Sequence, residues 1–213
     1  MPPGVTDITP AAYDGPDFGW ALFQLMVQNI DSRAGAKPAD MVATLAYLAG
    51  RIIQRATFRE RPQDFRIDQS ANGAVILRND LVSERISLLT PGTLASTLTE
   101  AALVAGARRL PEIAKVKQEA QEAMQRRGAA ELRGIELSAN PRELVRQVQE
   151  DVDDLLADPA NRLALVRAAI QACGFAVGYN RSRLCPAEAA ELALSIALYG
   201  SWVDQREAPR KQA

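Results

Sequence analysis

Apolar residues recur with a period near 3.6 along most of the chain, the spacing that places them on one side of an α-helix. Prolines stand where several of these periods begin, because proline has no backbone N–H to lose at the first helical position. Asn140-Pro141 and Asp158-Pro159 also place a capping side chain just before the proline. The pattern predicts helices over residues 17–32, 38–59, 93–109, 111–127, 141–157, 159–178 and 186–204, with a shorter one over 81–89.

One segment changes to a period of two. Phe65 to Gln69 alternates apolar and polar residues, Asn72-Gly73 is a strong hairpin turn signal, and the residues that follow are typical of a strand. The segment predicts a β-hairpin over about 65–78 with no fixed register, and an irregular loop is the alternative. Because two strands alone are marginally stable in water, the hairpin must pack on helices or pair with another chain.

These elements predict a mainly α-helical fold, a bundle of about seven helices with the small hairpin inserted. At 213 residues the chain is a little longer than one average domain and can bury a substantial core. We therefore expect one domain over 1–213, with extended termini at 1–16 and 205–213.

The predicted helices differ in what they bury. The first has apolar residues around most of its circumference, so it lies either inside the core or against a partner subunit. Its aromatic residues Phe18, Trp20 and Phe23 are the candidate interface. Helices 159–178 and 186–204 carry many alanines and glycines, which allow close approach of helix backbones, and we expect them to form a tight antiparallel pair.

Composition and charge narrow the class of protein. Lys plus Arg is 25 and Asp plus Glu is 26, so the basic excess of a dedicated nucleic-acid-binding protein is missing. Neither a secretory signal nor an apolar segment long enough for a membrane span is visible. The alanine- and arginine-rich composition suggests a bacterial source. We expect a cytoplasmic protein, with its two cysteines reduced, that binds neither nucleic acid nor membrane.

The chain contains no histidine, which restricts its chemistry. Ser-His-Asp and Cys-His catalysis and most zinc and iron sites are excluded. The common phosphate-binding and nucleophile motifs are also missing from the sequence. What remains open is carboxylate chemistry with Mg²⁺ or Mn²⁺, chemistry by Lys, Arg or Tyr, or no catalysis.

An acidic run on helix 141–157 is the candidate metal site. On a helical wheel Glu150, Asp153 and Asp154 lie opposite the apolar stripe, as expected of a solvated helix face. Asp153 and Asp154 nevertheless occupy the last turn, where the helix dipole disfavours negative charge. Contact with a basic partner and a divalent metal site are therefore the two alternatives to a solvated face.

Two groups of arginines are candidate anion sites. Arg51 and Arg55 stand one turn apart on helix 38–59, and guanidinium groups bind phosphate and carboxylate bidentately. Arg181 and Arg183 lie with Tyr179 in the polar loop before the last helix, and closing of this loop against a partner is a second functional interpretation. The alternative is structural: arginine stems cover apolar edges and pair with nearby acids, and the loop is a plain connection.

Three functions follow from these patterns. The first is a non-catalytic protein that self-associates as a homo-oligomer or binds a protein partner, with no cofactor. The second is a Mg²⁺-dependent hydrolase of a phosphorylated small molecule, using the acidic run with Arg51 and Arg55. The third is a small-ligand binding module with an apolar pocket between helices rich in small residues. We expect the first.

Overall fold

The computed structural model describes residues 16–31, 33, 35–69, 75–126 and 137–202. It is mostly helical with one small two-stranded antiparallel sheet, which confirms the predicted fold class. The elements follow in the order α1 (Pro16–Asp31), α2 (Pro38–Glu60), β1 (Arg66–Gln69), β2 (Val75–Arg78), α3 (Asp80–Ser87), α4 (Leu94–Val104), α5 (Ile113–Arg126), α6 (Pro141–Ala157), α7 (Pro159–Tyr179) and α8 (Pro186–Trp202), with a short 3-10 turn at Pro62–Asp64.

Proline begins five of these helices: α1, α2, α6, α7 and α8. At α6 the Asn140 side chain accepts the Arg142 backbone N–H at 3.0 Å, and at α7 Asp158 accepts that of Ala160 at 2.9 Å. Both satisfy a backbone donor that has no partner within the helix. The predicted proline starts and caps are confirmed.

Helix α4 ends five residues before its predicted boundary at 109. Gly106 adopts a left-handed φ of 93°, which costs glycine little because it has no Cβ. Its N–H donates to the carbonyl of Leu103, and the N–H of Ala107 donates to that of Ala102 at 2.8 Å. These two bonds are the Schellman arrangement that terminates a helix.

The hairpin is confirmed, and its register is fixed by pairing Arg66 with Arg78 and Gln69 with Val75. The predicted turn at Asn72-Gly73 lies outside the described residues. Ile76 is buried in the common core, so the hairpin is supported by helices of its own chain.

Helix α2 runs through the core and packs against α1, α3, α6, α7 and α8. Its closest neighbour is α8. Glycine at position 50 makes this possible, because a Cβ there would lie 2.1 Å from the Ala197 carbonyl oxygen of α8. The expected tight pair of α7 and α8 is therefore wrong: α8 packs on α2, α4 and α5, while α7 packs on α1, α2 and α4.

Of the predicted extended termini, residue 16 instead begins α1, and residues 1–15 and 205–213 lie outside the described part. No helix in the described part combines the length and apolarity needed to cross a bilayer.

Candidate functional site

The acidic run lies on the outer side of α6. Glu150 and Asp154 are exposed, whereas Val152 and Leu156 on the opposite side are buried in the core. Asp153 lies between these two sides, half-buried, and forms a salt bridge with Arg55 of α2. The one carboxylate that leaves the solvated face therefore binds a residue of the candidate anion site.

This placement bears on the candidate metal set Glu150, Asp153 and Asp154. The salt bridge to Arg55 occupies the Asp153 carboxylate, which a metal ion at this site would need as a ligand. Across the described residues, no three His, Cys, Asp or Glu side chains come together in a way that could hold a metal ion. The three acids share a helix, but the fold does not bring them around a common point.

The four candidate anion-binding arginines separate into three places. Arg51 and Arg55 line a pocket of about 210 Å³ between α2 and the hairpin, together with Arg59. We call it the α2–hairpin pocket. Arg181 lines a groove between α4 and α7, and Arg183 is exposed in the loop after α7.

The candidate interface residues of α1 also separate. Phe18 and Phe23 are each 2% exposed and lie in the core of their own chain, while Trp20 is 45% exposed. Because packing within the chain covers the two phenylalanines, Trp20 is the member of the set that a partner can reach.

Trp20 belongs to an aromatic cluster shared by α1 and α7. Its ring stacks on Phe23 at a centroid separation of 5.2 Å and meets Phe175 edge-on at 5.3 Å. Phe23 in turn meets Tyr179 at 5.6 Å. We call the exposed rings Trp20, Phe175 and Tyr179 the aromatic face. Buried Phe23 contacts all three and holds them in fixed positions.

The aromatic face borders the α4–α7 groove, whose volume is about 370 Å³. Gly174 and Gly178 form the α7 side of the groove, and Phe175 belongs to both features. Outside its own helix, a Cβ at Gly178 would meet nothing within 4 Å. Val104 on the α4 side is 81% exposed. The projecting rings and the open groove thus form one continuous, mainly apolar surface, with the charged residues Glu100 and Arg181 also lining the groove.

Sequence reasoning did not single out Phe175 or Val104, and it placed Tyr179 in the loop after α7 rather than at the end of that helix. A signal was present in the spacing. Phe175 and Tyr179 are four residues apart, and so are Gly174 and Gly178. The two aromatic side chains therefore form one row along α7, and the two glycines form a row beside it. In a helix that is apolar overall, these rows do not reveal which side the rest of the chain covers.

The most buried carboxylates hold loops in place. Asp40 accepts the Ser138 backbone N–H at 2.8 Å and the Lys37 backbone N–H at 2.6 Å. Glu191 is fully buried on α8, and its carboxylate accepts hydrogen bonds from both terminal nitrogens of Arg109. This interaction raises the pKa of the arginine.

Neither cysteine forms a disulfide. Cys173 is buried, which raises the pKa of its thiol and disfavours the reactive thiolate, whereas Cys185 is exposed.

Comparisons of the chain with protein-family models, curated protein sequences and solved structures find no match.

Proposed function

We propose that this protein self-associates, with the aromatic face of one copy seated in the α4–α7 groove of a second copy. The observation that supports this most directly is the exposed cluster of Trp20, Phe175 and Tyr179 beside a groove with glycines along one side. Exposed contiguous apolar surface of this kind is typical of interaction sites, and tryptophan and tyrosine are enriched among residues that dominate binding energy.

A second copy is the occupant that the surface fits, because projection and hollow lie side by side on the same helix. In a two-fold dimer each copy presents the same patch, so a feature and its complement must both occur on that patch. Phe175 is part of the aromatic face and of the groove wall, which places the two features in direct contact.

The charges of the groove support the same symmetry. Glu100 of α4 and Arg181 after α7 line the groove, and both are exposed. A two-fold axis along the groove would place α4 of one copy over α7 of the other, and in the proposed dimer Glu100 of each copy pairs with Arg181 of the other. Opposite charges on one patch thus favour self-pairing over binding to a uniformly charged partner.

The size of the surface sets the expected strength. A buried aromatic side chain covers about 150–250 Å², and Trp20 and Tyr179 expose about half of their surface. The three rings and the groove together therefore offer less than the about 800 Å² per partner of a standard stable complex. We expect a weak dimer, with a Kd of about 1–100 μM.

Sedimentation velocity across protein concentrations tests this proposal. The wild-type protein should change from monomer to dimer between about 1 and 300 μM, and Trp20→Ala should weaken association at least tenfold. Circular dichroism should show that this variant keeps its helix content, since nearly half of the indole is exposed. A wild-type protein that stays monomeric over the whole range contradicts the proposal.

Charge reversal tests the predicted symmetry. Glu100→Arg and Arg181→Glu should each weaken the dimer about tenfold, because each creates two like-charge contacts, and the double variant should restore association. Arg183→Glu is the matched control: it makes the same charge change two residues away, outside the groove, and should leave the Kd unchanged. Failure of the double variant to recover would refute the pairing.

The acidic run of α6 gives less support to a Mg²⁺-dependent hydrolase. Asp153 is bound by Arg55, and Glu150 and Asp154 project into solvent. No observation on the described residues favours this reaction over self-association.

A further inference from the structure

We infer that the α2–hairpin pocket binds a small phosphate monoester, at a site separate from the proposed dimer surface. Five of its lining residues come from one face of α2, at the spacing i, i+3, i+4, i+7 and i+8: Arg51, Gln54, Arg55, Phe58 and Arg59. Ile67 of β1 and Leu77 of β2 close the opposite side.

The pocket concentrates positive charge. Three guanidinium groups line it, and none of the described residues that line it is acidic. Asp153 of α6 stands beside it, where it pairs with Arg55 and accepts a bond from Arg59 through its backbone carbonyl at 3.4 Å. Asp153 therefore helps to position two of the arginines, and the lining itself remains cationic.

Gln54 supplies the observation that points to a ligand. It is 2% exposed, and its Oε1 accepts a hydrogen bond from Nη1 of Arg51 at 2.7 Å. Arginine only donates, so this bond determines which end of the amide faces Arg51 and leaves Nε2 as a donor. Among the described residues Nε2 has no acceptor. Buried donors are almost always satisfied, and a bound anion in the pocket would provide the acceptor.

The lining favours a phosphate over a carboxylate. A phosphate monoester carries close to two negative charges at neutral pH and three terminal oxygens, enough to accept from arginine forks and from an amide together. Arg51 is 1% exposed, and such a buried guanidinium interacts strongly with a multiply charged anion because solvent screens the charges little.

The rest of the pocket sets the size and character of the ester group. Phe58 and Leu77 offer apolar contact beside the arginines. The cavity of about 210 Å³ is smaller than the about 300–1,000 Å³ of sites for drug-sized ligands. A phosphate with a small apolar substituent fits this description better than a nucleotide does.

Thermal shift and calorimetry with inorganic phosphate, phenyl phosphate and benzoate test the inference, with NaCl at matched ionic strength as the reference. Phenyl phosphate should raise the Tm by about 2–5 °C at saturation and bind at least tenfold more tightly than benzoate. Inorganic phosphate should bind more weakly than phenyl phosphate, because it lacks the apolar group. Phosphates that shift the Tm no more than NaCl, or benzoate that binds equally well, would overturn the inference.

Two variants locate the binding. Gln54→Glu keeps an acceptor for Arg51 but removes the amide donor and adds negative charge, so phosphate binding should be lost while the fold persists. Arg59→Gln, at an exposed position, should weaken binding about tenfold. Arg61→Gln is the matched control, because Arg61 is exposed near the end of the same helix but does not line the pocket. Wild-type affinity in both Gln54→Glu and Arg59→Gln would place the ligand elsewhere.

Discussion

Helices α7 and α8 have similar compositions but different environments. Both are rich in alanine, and each contains glycine. Almost every residue of α8 is buried, because α2, α4 and α5 surround it. Helix α7 is buried along one side, while Phe175 and Tyr179 on its other side are exposed. In α8 the small side chains allow close packing against neighbouring helices, whereas in α7 they form one side of an open surface groove.

The difference shows that a small residue permits close packing without determining its partner. Gly50 of α2 lies against the α8 backbone, whereas Gly178 of α7 faces open space. The same residue type therefore stabilises a core contact at one position and forms the side of a surface groove at the other. Substitutions that add one methyl group separate the two cases.

The largest effect is expected for Gly50→Ala. The added Cβ would lie 2.1 Å from the Ala197 carbonyl oxygen, so two central helices must move apart. We expect a loss of at least about 3 kcal/mol in the free energy of unfolding, the upper end for overpacking. Urea denaturation measures it. A loss below about 0.5 kcal/mol, the ordinary range for surface changes, would show that α2 and α8 are not in close contact.

A smaller loss is expected for Glu191→Ala, which tests whether α8 is enclosed on its other side. The buried carboxylate accepts the Glu112 backbone N–H at 2.9 Å and both terminal nitrogens of Arg109. Arg109 is partly exposed and regains water on truncation, so we expect a loss of about 2 kcal/mol. Glu188→Ala is the matched control one turn earlier, at an exposed position, and should cost only the about 0.3–1 kcal/mol that a first-turn carboxylate contributes at a helix N-terminus.

Much of this fold could be predicted from the sequence because its signals are local. Prolines and caps such as Asn140 mark the helix starts, and the alternation before Asn72-Gly73 marks the hairpin. The early end of α4 at Gly106 was missed, because a single glycine is compatible with either a continuing or a terminating helix.

The neighbours of each helix could not be predicted. Alanine-rich helices such as α7 and α8 have weak polarity differences around their circumference, so the pattern does not indicate which side is covered. Helix α6 is the opposite case, since its polar and apolar sides are distinct, and the exposure of Glu150 and Asp154 agrees with the predicted solvated face. Even there, the salt bridge of Asp153 to Arg55 depends on tertiary packing between residues far apart in sequence.

The smallest effect, and the sharpest test of the open side of α7, is expected for Gly178→Ala. Nothing outside the helix lies within 4 Å of the added Cβ, so alanine should restrict the unfolded chain without strain in the folded one. Near the helix end this should raise the free energy of unfolding by about 0.3–0.5 kcal/mol in dilute protein. A loss of stability would show that the position is covered.

The same methyl group would project into the groove that we propose to seat a second copy. Association adds stability in proportion to the logarithm of protein concentration over Kd, so a variant that weakens the dimer gives up that contribution. The advantage of Gly178→Ala should therefore be present at about 1 μM and shrink or reverse at about 200 μM, at or above the expected Kd. An equal gain at both concentrations would mean that α7 is open because no second copy binds there, and the contrast with α8 would then concern packing alone.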